Sequence, residues 1–496
     1  MNEFVHDTFF PMTESRIAII AADGTYTYDQ LDEASRRVSG ALLGDNTDLN
    51  QTRVAFFVPP SFAYAAVQRG IWRAGGVAVP LAISHPPAEL DYVIRDSGAS
   101  VVVSDPASAS MLMPIAKAAR ARFLTTTTAL AASMGEDLPH LASNRRAMII
   151  YTSGTTGRPK GAVSTHQNIG AQIAALVEAW RWTPADRLLL TLPLHHVHGI
   201  INGLGSALAV RATCEILPAF DADIVWNRLA SGEITVFTAV PTIYNRLIAS
   251  WNAASPDVQR VRADGARRLR LMMSGSAALP VQTLERWREI TGHTLLERYG
   301  MTELGMALSN PLTGDRRPGY VGQPLPGVDV RLVDEDGRDV AEGMPGELEV
   351  RGPAVCLEYW QRPDETRDAF RDGWFRTGDV AVWESGSFRL LGRSNVDIIK
   401  TGGFKVSALE IEEILRTHPA IAECAVVGVH DADWGERVSA AVELRTGASL
   451  SLDELQQWAK VQLAPYKVPR ALQAVPALPR NAMGKVVKPE VAGLFK

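Results

Sequence analysis

The chain has 496 residues, of which 46% are hydrophobic and 21% charged, and its formal net charge is −5. That length exceeds what one hydrophobic core normally serves, so we expect at least two domains. The mildly acidic balance argues against nucleic acid or an anionic membrane as a partner, because both select basic surfaces.

The cysteines and the first residues indicate a compartment. Cys214, Cys356 and Cys424 are widely spaced and odd in number, which fits neither a disulfide framework nor a metal knuckle. We expect buried free thiols in a reducing environment. The opening MNEFVHDTFFPMTESR is acidic where a signal peptide is basic, and no run of about 18 apolar residues suggests a membrane span. These features predict a cytoplasmic protein.

Short apolar runs alternate with longer helical stretches from roughly residue 15 to residue 310. TRVAFFVP, VVVSD, AMIIYT, RLLLTLPL, ITVFTAV and RLMMSG predict strands that are mostly apolar on both faces. PSFAYAAVQRGIWRAGG predicts a helix that ends at Gly75 and Gly76. Strands of this kind belong to parallel sheets covered by helices, so we expect layered α/β structure here.

The pattern changes at two places in the second half of the chain. From residue 318, GYVGQPLPGVDVRLVDEDGRDVAEGMPGELEVRG predicts short strands and turns, a β-rich insert. After GRSNVDIIKTGG (392–403), two helices alternate with three strands. We therefore expect a large N-terminal domain, residues 1–392, of layered α/β subdomains, and a small mobile α+β C-terminal domain, residues 393–496.

The stretch YTSGTTGRPKG, residues 151–161, follows a predicted strand and combines glycines and hydroxyls with one lysine, Lys160. Backbone N–H groups, hydroxyls and a cation are the parts that wrap a polyphosphate. A Walker A loop is disfavoured, because Pro159 stands at its second glycine and Gly161 at its Ser or Thr. A plain connecting loop is the alternative, since turns are rich in the same residues.

Three other polar segments sit at predicted strand ends. LERYGMTELG (296–305) contains Glu303, MSGSAALP (273–280) would let a flat ring approach the backbone, and WFRTGDV (374–380) presents Asp379. Each is weak alone, because isolated acids in turns are mostly solvated. Together with the 151–161 loop they supply a phosphate loop, a ring slot, a diol acceptor and an oxygen ligand for Mg²⁺, which indicates ATP.

YTSGTTGRPKG, ERYGMTE, RTGD, GRSNVDIIKTGGFK and PRNAMGK, in this order and spacing, resemble the motifs of the adenylate-forming superfamily of acyl-CoA synthetases, luciferases and nonribosomal adenylation domains. The resemblance covers essentially the whole chain. It implies that a carboxylate attacks the α-phosphate of MgATP, giving an acyl-adenylate and pyrophosphate. The C-terminal domain then rotates, and a thiol, here that of CoA, attacks the acyl carbon.

The same resemblance assigns the residues of catalysis. Thr302 would contact the α-phosphate and Glu303 the Mg²⁺, while the 153–160 loop would hold the β- and γ-phosphates. Lys485 would reach the bridging and carboxylate oxygens, where charge develops in the transition state. The implied catalytic set is Lys485, Glu303, Thr302 and His196.

Nucleotide binding is assigned in the same way. Tyr299 and the 274–278 loop would flank adenine, and Asp379 and Arg393 would bind the ribose. The implied ATP-binding set is Thr152, Ser153, Gly154, Thr155, Thr156, Gly157, Lys160, Ser274, Gly275, Ser276, Ala277, Arg298, Tyr299, Gly300, Met301, Asp379 and Arg393.

The segment after Arg393 carries the implied CoA and hinge positions. Lys400, Gly402 and Gly403 would contact CoA. The stretch GRSNVDIIKTGG is one residue longer than in many relatives, so both Asn395 and Asp397 are candidates for the hinge. Asn395 is the favoured hinge candidate because of its distance from Arg393 in the sequence.

LPLHHVHGI (192–200) places His195, His196 and His198 close together. Zinc is one interpretation, but no cysteine or second histidine cluster completes a site, and the spacing suits a loop. The resemblance instead places this segment along the acyl pocket and the pantetheine channel.

AVPTIYNRLI (239–248) predicts a strand leading into a helix at Pro241, with Arg246 one turn further on. Acyl pockets are mostly apolar, so an arginine facing one needs an anion from the substrate. LHHVHG, PTIYNR, SGSAALP and ERYGMTE together resemble the malonyl-CoA synthetase branch, in which this arginine receives the distal carboxylate of malonate or methylmalonate. The implied substrate-binding set is His196, His198, Arg246, Ser276 and Met301.

Several alternatives stay open. Arg246 could instead be a surface helix arginine paired with an acid. A fatty- or aryl-acid CoA ligase of the same fold is favoured if the pocket around Arg246 is apolar. A stand-alone adenylation domain that loads a carrier protein differs only in its thiol acceptor, and a non-catalytic interaction protein is disfavoured because Lys160, Glu303 and Lys485 are all intact.

Overall fold

The structure is a computed structural model that describes residues 15–135, 138–152, 159–480 and 486–495. Within those ranges the strands form four sheets: two mainly parallel sheets, an antiparallel insert sheet and a C-terminal sheet. A large N-terminal α/β region followed by a small α+β unit confirms the expected fold class. The boundary between residues 392 and 393 stays a prediction.

The first N-terminal sheet contains the predicted strands TRVAFFVP, VVVSD and AMIIYT. Its central strands are parallel because helices such as Phe62–Arg73 connect them, and their apolar side chains are buried on both faces. From edge to edge its strands are Glu358–Tyr359, Lys160–Thr165, Arg146–Thr152, Val77–Pro80, Arg53–Phe57, Val101–Ser104 and Arg122–Thr125.

One antiparallel pair in this sheet carries the ends of the glycine-rich loop. Thr152 lies opposite Lys160 in the pair formed by Arg146–Thr152 and Lys160–Thr165. A Walker A loop leads into a helix, whereas this loop leads into a paired strand. The pairing of these two strands therefore fixes the position of the Lys160 backbone at the end of the loop.

The second N-terminal sheet brings two of the predicted polar segments, MSGSAALP and LERYGMTELG, to the same end of the sheet as the segment around Pro241. Val236–Ala239, Leu271–Ser274 and Leu296–Met301 are parallel neighbours, so the loops after their carboxyl ends meet. From edge to edge the strands are Gln323–Pro324, Gly305–Ser309, Leu296–Met301, Leu271–Ser274, Val236–Ala239, Arg187–Leu190, Thr213–Ile216, Ile17–Ala21 and Gly24–Thr27.

The insert sheet confirms the predicted β-rich segment. Its strands Asp329–Val333, Gly346–Arg351, Trp374–Glu384 and Phe370–Arg371 are antiparallel neighbours, and Ser387–Arg393 pairs with Trp374–Glu384. That last pairing sets Asp379 opposite Arg393.

The C-terminal sheet has a hydrophobic core of its own, which includes Ile411, Val426, Val438 and Val442. Its strands are Phe404–Ser407, Ile398–Thr401, Gly435–Leu444, Ile421–Asp431 and Ala471–Ala474. Separate cores are what allow two units of one chain to move relative to each other.

Most of the described α-helices have a hydroxyl residue at the N-cap or a proline at the start, and Thr27, Ser61 and Ser451 are N-caps of the first kind. No helix in the described ranges is both long and apolar enough to cross a membrane. The α-helices are Tyr28–Leu43, Phe62–Arg73, Pro87–Asp96, Ala109–Ala118, Thr126–Leu130, His166–Trp180, Ser206–Ala209, Ala222–Ala230, Pro241–Ala253, Pro256–Ala266, Val281–Thr291, Pro363–Ala369, Ala408–Leu415, Leu452–Ala459 and Lys488–Gly493; Pro106–Ser108 and Pro465–Lys467 are 3₁₀-helices, and His198–Gly205 is a π-helix.

Candidate active site

Three residues predicted to bind the nucleoside form one cluster where the second N-terminal sheet meets the insert sheet. Tyr299 donates its hydroxyl to Asp379 Oδ2 at 2.5 Å, and Arg393 Nε lies 3.1 Å from Asp379 Oδ1. Thr377 Oγ1 accepts a hydrogen bond from the Asp379 backbone N–H at 3.0 Å. Burial, followed by the neighbouring carboxylate of Asp379, raises the pKa of Tyr299 well above its ordinary value, so this hydroxyl stays a donor.

A second cluster surrounds Glu303, the predicted Mg²⁺ ligand. Its side chain is buried, and Oε1 accepts a hydrogen bond from the Tyr359 hydroxyl at 2.8 Å. Lys160 Nζ lies 5.5 Å from the centre of the Tyr359 ring. Tyr359 therefore contacts both Glu303 and the lysine of the predicted phosphate loop. Burial raises the pKa of Glu303, which means that a nearby cation would stabilise its carboxylate.

Several predicted residues fall outside the described ranges. Ser153, Gly154, Thr155, Thr156 and Gly157 of the phosphate loop are among them. Lys485 is another. Their predicted roles stay predictions.

His198 connects the histidine segment to the 274–278 loop. Its Nδ1 lies 3.0 Å from Ser276 Oγ, and its Nε2 lies 2.8 Å from Thr238 Oγ1. The Arg298 guanidinium also contacts His198 Nε2 and lies 3.2 Å from Thr238 Oγ1. His198 and Ser276, two predicted substrate residues, are thus joined to Arg298 in one network.

Arg298 is an unusual cation, because its side chain is buried with no acidic partner among the described residues. Its Nε also lacks a hydrogen-bond partner within the part of the chain that the structure describes. Burial lowers the pKa of Arg298 to about 10, which leaves it charged at neutral pH. A Cβ atom at Gly275 would overlap this guanidinium, so any other residue there would displace the Arg298 side chain. Arg298 was predicted to bind ATP; its hydrogen-bond contacts are with Thr238 and with His198, which was predicted to bind the acid.

His195 and His196 precede the π-helix and pack against each other, with 4.1 Å between ring centres. Burial lowers the pKa of His196 to about 4 and that of His195 to about 3, so both imidazoles are neutral at physiological pH. His196 Nε2 is buried without a hydrogen-bond partner in the described ranges. The zinc interpretation gains no support, since no group of three or more His, Cys, Asp and Glu side chains in those ranges could hold a metal ion.

Arg246 is exposed, which differs from the buried cation that the sequence suggested. Its guanidinium carbon lies 6.0 Å from the centre of the Phe220 ring, on the helix Pro241–Ala253. The alternative of a surface arginine paired with an acid predicted two features. Arg246 has the predicted exposure, but it has no ion pair with the described residues. The helix begins at Pro241 as predicted.

The predicted CoA residues lie on the hairpin between Ile398–Thr401 and Phe404–Ser407. Thr401 pairs with Phe404, which leaves Gly402 and Gly403 as a two-residue turn with φ of 55° and 81°. Both residues of such a turn need positive φ, so two glycines suit it. Lys400 is exposed beside this turn.

Both hinge candidates follow Arg393. Asn395 is exposed. Asp397 Oδ2 accepts a hydrogen bond from the Arg393 backbone N–H at 3.0 Å, and Asp397 Oδ1 lies 3.4 Å from Lys488 Nζ. The choice between the two stays open.

The remaining predicted residues line the same edge of the second N-terminal sheet. Ser274 ends its strand with a buried hydroxyl that lacks a partner in the described ranges, and Ala277 is exposed in the loop after it. Gly300 and Met301 end the strand Leu296–Met301, directly before Thr302. In the first N-terminal sheet, Thr152 Oγ1 lies 3.4 Å from the Lys160 carbonyl oxygen.

Sequence reasoning missed Tyr359 and Thr238. Tyr359 reaches Glu303 because its short strand pairs with Lys160–Thr165, a partner distant in sequence. Thr238 lies inside an apolar strand, where a lone hydroxyl gives no signal.

Family models identify the class of protein that this fold and site define. The chain belongs to the AMP-binding enzyme family: the family model matches residues 10–360, and the model of the AMP-binding enzyme C-terminal domain matches residues 410–485. The resemblance inferred from the five motifs is thereby confirmed.

Two relatives of this chain, for example, have malonate–CoA ligase as their name. The chain is 49% identical to the mitochondrial malonate–CoA ligase ACSF3 of Mus musculus, over 96% of this chain and 88% of that protein. It is 43% identical to a malonate–CoA ligase of Arabidopsis thaliana, over 96% of this chain and 86% of that protein.

Among solved structures, ATP-bound MatB from Rhodopseudomonas palustris superposes with a TM-score of 0.92 at 37% identity, covering 100% of this chain and 99% of that one. O-succinylbenzoate CoA synthetase (MenE) from Bacillus subtilis, in complex with AMP, gives a TM-score of 0.85 at 26% identity, covering 98% and 97%. The fold is thus that of adenylate-forming enzymes.

Proposed function

We propose that this protein is an ATP-dependent malonate–CoA ligase, which also accepts methylmalonate, and which forms malonyl-CoA, AMP and pyrophosphate. The malonate–CoA ligases among its relatives support the substrate, and the ATP-bound MatB structure supports ATP as the nucleotide. The observation that carries the proposal is positive charge near His198 and Ser276, which are predicted to bind the acid: Arg298 is buried beside them with no acidic partner among the described residues.

A buried guanidinium without a counterion costs free energy unless a ligand supplies the anion. Malonate keeps a second carboxylate after the first one has reacted, so it brings that anion. Arginine binds a carboxylate through two parallel hydrogen bonds. A fatty acid would leave Arg298 unpaired beside a methyl end. The charge arrangement therefore favours a short dicarboxylate.

The proposed reaction has two steps. A malonate oxygen attacks the α-phosphorus of ATP, and the bond from that phosphorus to pyrophosphate breaks. The CoA thiol, on losing its proton, then attacks the acyl carbon, and the bond from that carbon to the AMP oxygen breaks. Asp379, Tyr299 and Arg393 orient the nucleoside, while His198 and Arg298 orient the acid; such positioning supplies much of the rate in reactions of this kind.

Mg²⁺ is part of this proposal. Glu303 fits a hard cation, since it offers a buried carboxylate whose one described hydrogen bond, from Tyr359, leaves lone pairs available. When bound, Mg²⁺ would neutralise phosphate charge. Lys160, and by the motif Lys485, would add positive charge at the phosphoryl and carboxylate oxygens.

A cytoplasmic location, predicted from the sequence, also stays a proposal. The three cysteines are free and buried, which supports a reducing compartment. The mouse relative is mitochondrial. Neither nucleic acid nor a membrane is proposed as a partner.

A panel of carboxylic acids tests the function. AMP release is measured with ATP, CoA and malonate, methylmalonate, succinate, butyrate, octanoate or benzoate in turn. We expect malonate to give the highest kcat/KM, with methylmalonate next. A preference for octanoate or benzoate would support the fatty- or aryl-acid alternative. Acid-dependent exchange of pyrophosphate into ATP without CoA consumption would support a carrier protein as acceptor.

A further inference from the structure

The helix Val281–Thr291 follows the loop that is predicted to flank adenine, and it lacks a cap of its own. Its N-cap residue is Pro280, which makes no side-chain hydrogen bond, and its first turn contains no acidic residue. The first N–H groups of a helix need an acceptor, and they favour a negative charge.

Another part of the chain supplies that acceptor. The Val281 backbone N–H donates to Glu413 Oε1 at 2.9 Å, and Gln282 Nε2 donates to the Arg416 carbonyl oxygen at 3.1 Å. Glu413 belongs to the helix Ala408–Leu415, which packs on the C-terminal sheet. The capped helix lies within the match to the main family model and Glu413 within the match to its C-terminal domain, so the cap joins the two units.

The whole chain superposes more closely on ATP-bound MatB than on apo MatB. ATP-bound MatB gives a TM-score of 0.92 and apo MatB gives 0.83, although both are 37% identical and both cover 100% of this chain. Other contacts between the units are weaker candidates for fixing the arrangement. Lys405 and Glu335, for example, pair at 2.6 Å with both side chains largely exposed.

We propose that Glu413 is a positioning residue for the adenylation half-reaction, acting as a removable cap that holds the C-terminal unit over the nucleotide site. The inference rests on the two-step reaction proposed above. When the C-terminal unit rotates for the CoA step, the cap is lost and the Val281 N–H returns to water. Glu413 therefore stabilises one arrangement and contributes nothing to the other.

The test separates the two half-reactions in Glu413→Ala and Glu413→Gln. Adenylation is measured as acid-dependent exchange of pyrophosphate into ATP, and CoA transfer as the rate from a supplied acyl-adenylate. Losing a side-chain cap shifts an equilibrium by about 2- to 30-fold. We expect Glu413→Ala to lower exchange by a factor in that range while CoA transfer is unchanged or faster. Glu413→Gln, which keeps an acceptor oxygen, should retain most of the exchange.

Glu454→Ala is the matched control. Glu454 Oε2 accepts the Ser451 backbone N–H at 2.8 Å, so this variant also removes a hydrogen bond at a helix start, but inside the C-terminal unit. It should leave the ratio of the two half-reactions at the wild-type value. Unchanged exchange in Glu413→Ala, or equal loss of both half-reactions in Glu413→Ala and Glu413→Gln, would overturn the proposal. The acid used is the best substrate found in the panel, so a failure of the malonate assignment does not affect this outcome.

Discussion

Tyr299 donates its hydroxyl to Asp379 with 2.5 Å between the two oxygens, which joins the second N-terminal sheet to the insert sheet at the proposed nucleoside site. Asp379 keeps its other oxygen near Arg393, at 3.1 Å. The carboxylate is thus oriented from two sides before any ligand arrives. A preoriented carboxylate is what binding a ribose diol requires.

Asp379→Asn should raise the KM for ATP, because an amide cannot accept with both of its polar atoms. Loss of a hydrogen bond to a charged group costs about 1.5–3 kcal/mol, or about 10- to 150-fold. Tyr299→Phe should have a smaller effect, since Asp379 keeps Arg393. Initial rates over an ATP series measure this, and a KM for ATP unchanged in Asp379→Asn would remove the carboxylate from nucleoside binding.

Glu303→Gln should reduce adenylation and raise the Mg²⁺ concentration needed, because the variant keeps the shape and loses the charge. The wild type should also need more Mg²⁺ as the pH falls, since burial raises the pKa of Glu303 and protonation removes the ligand charge. Mg²⁺ titrations between pH 6 and pH 8 check both effects. Identical titrations for variant and wild type would place the metal elsewhere.

Arg298→Met should lower kcat/KM for malonate by about 100-fold or more, because the distal carboxylate would then be buried without its cation. The thermal unfolding midpoint should stay the same or rise, since an unpaired buried charge is removed. Arg298→Lys is the charge-matched control. If Arg298→Met instead raises only the KM for ATP, the residue belongs to the nucleotide site, as the sequence alone suggested.

We expect the buried carboxyl group of Glu297 to make the stability of the fold depend on pH, an effect that can be measured without an activity assay. Burial raises its pKa in the folded protein from the ordinary 4.5 to about 8. The folded state therefore holds the proton more tightly, and its stability falls as the pH rises from about 4.5 through about 8. Glu297→Gln should show a flatter unfolding midpoint between pH 5 and pH 8.5 in thermal melts. Parallel pH curves for the two proteins would contradict this.

Much of the fold could be predicted because its signals are local. The runs around Val54, Val102 and Leu189 are apolar on both faces, and each forms a buried parallel strand. Asp379 and Arg393 were both predicted from motif positions to bind the ribose, and the strand register sets the two residues opposite each other.

The parts of the site that were missed depend on distant pairing. Tyr359 meets Glu303 only because two strands far apart in sequence form one ladder. The exposure of Arg246 and the burial of Arg298 depend on how helices and strands pack around them. The helix start near Arg246 and the polar segment that contains Arg298 do not predict this packing. His198 begins a π-helix, and the histidine spacing gave no indication of that.

The most direct test of the central claim compares kcat/KM for malonate and butyrate in the wild type and in Arg298→Met. These acids differ in whether a carboxylate or a methyl group stands at the far end of a short chain. If the buried Arg298 guanidinium pairs with the distal carboxylate, breaking that pair costs about 3–5 kcal/mol, which is hundreds- to thousands-fold in rate. We expect the wild type to prefer malonate, and Arg298→Met to lose most malonate activity while gaining on butyrate. A wild type that prefers butyrate, or a variant that loses both acids equally, would contradict the dicarboxylate assignment.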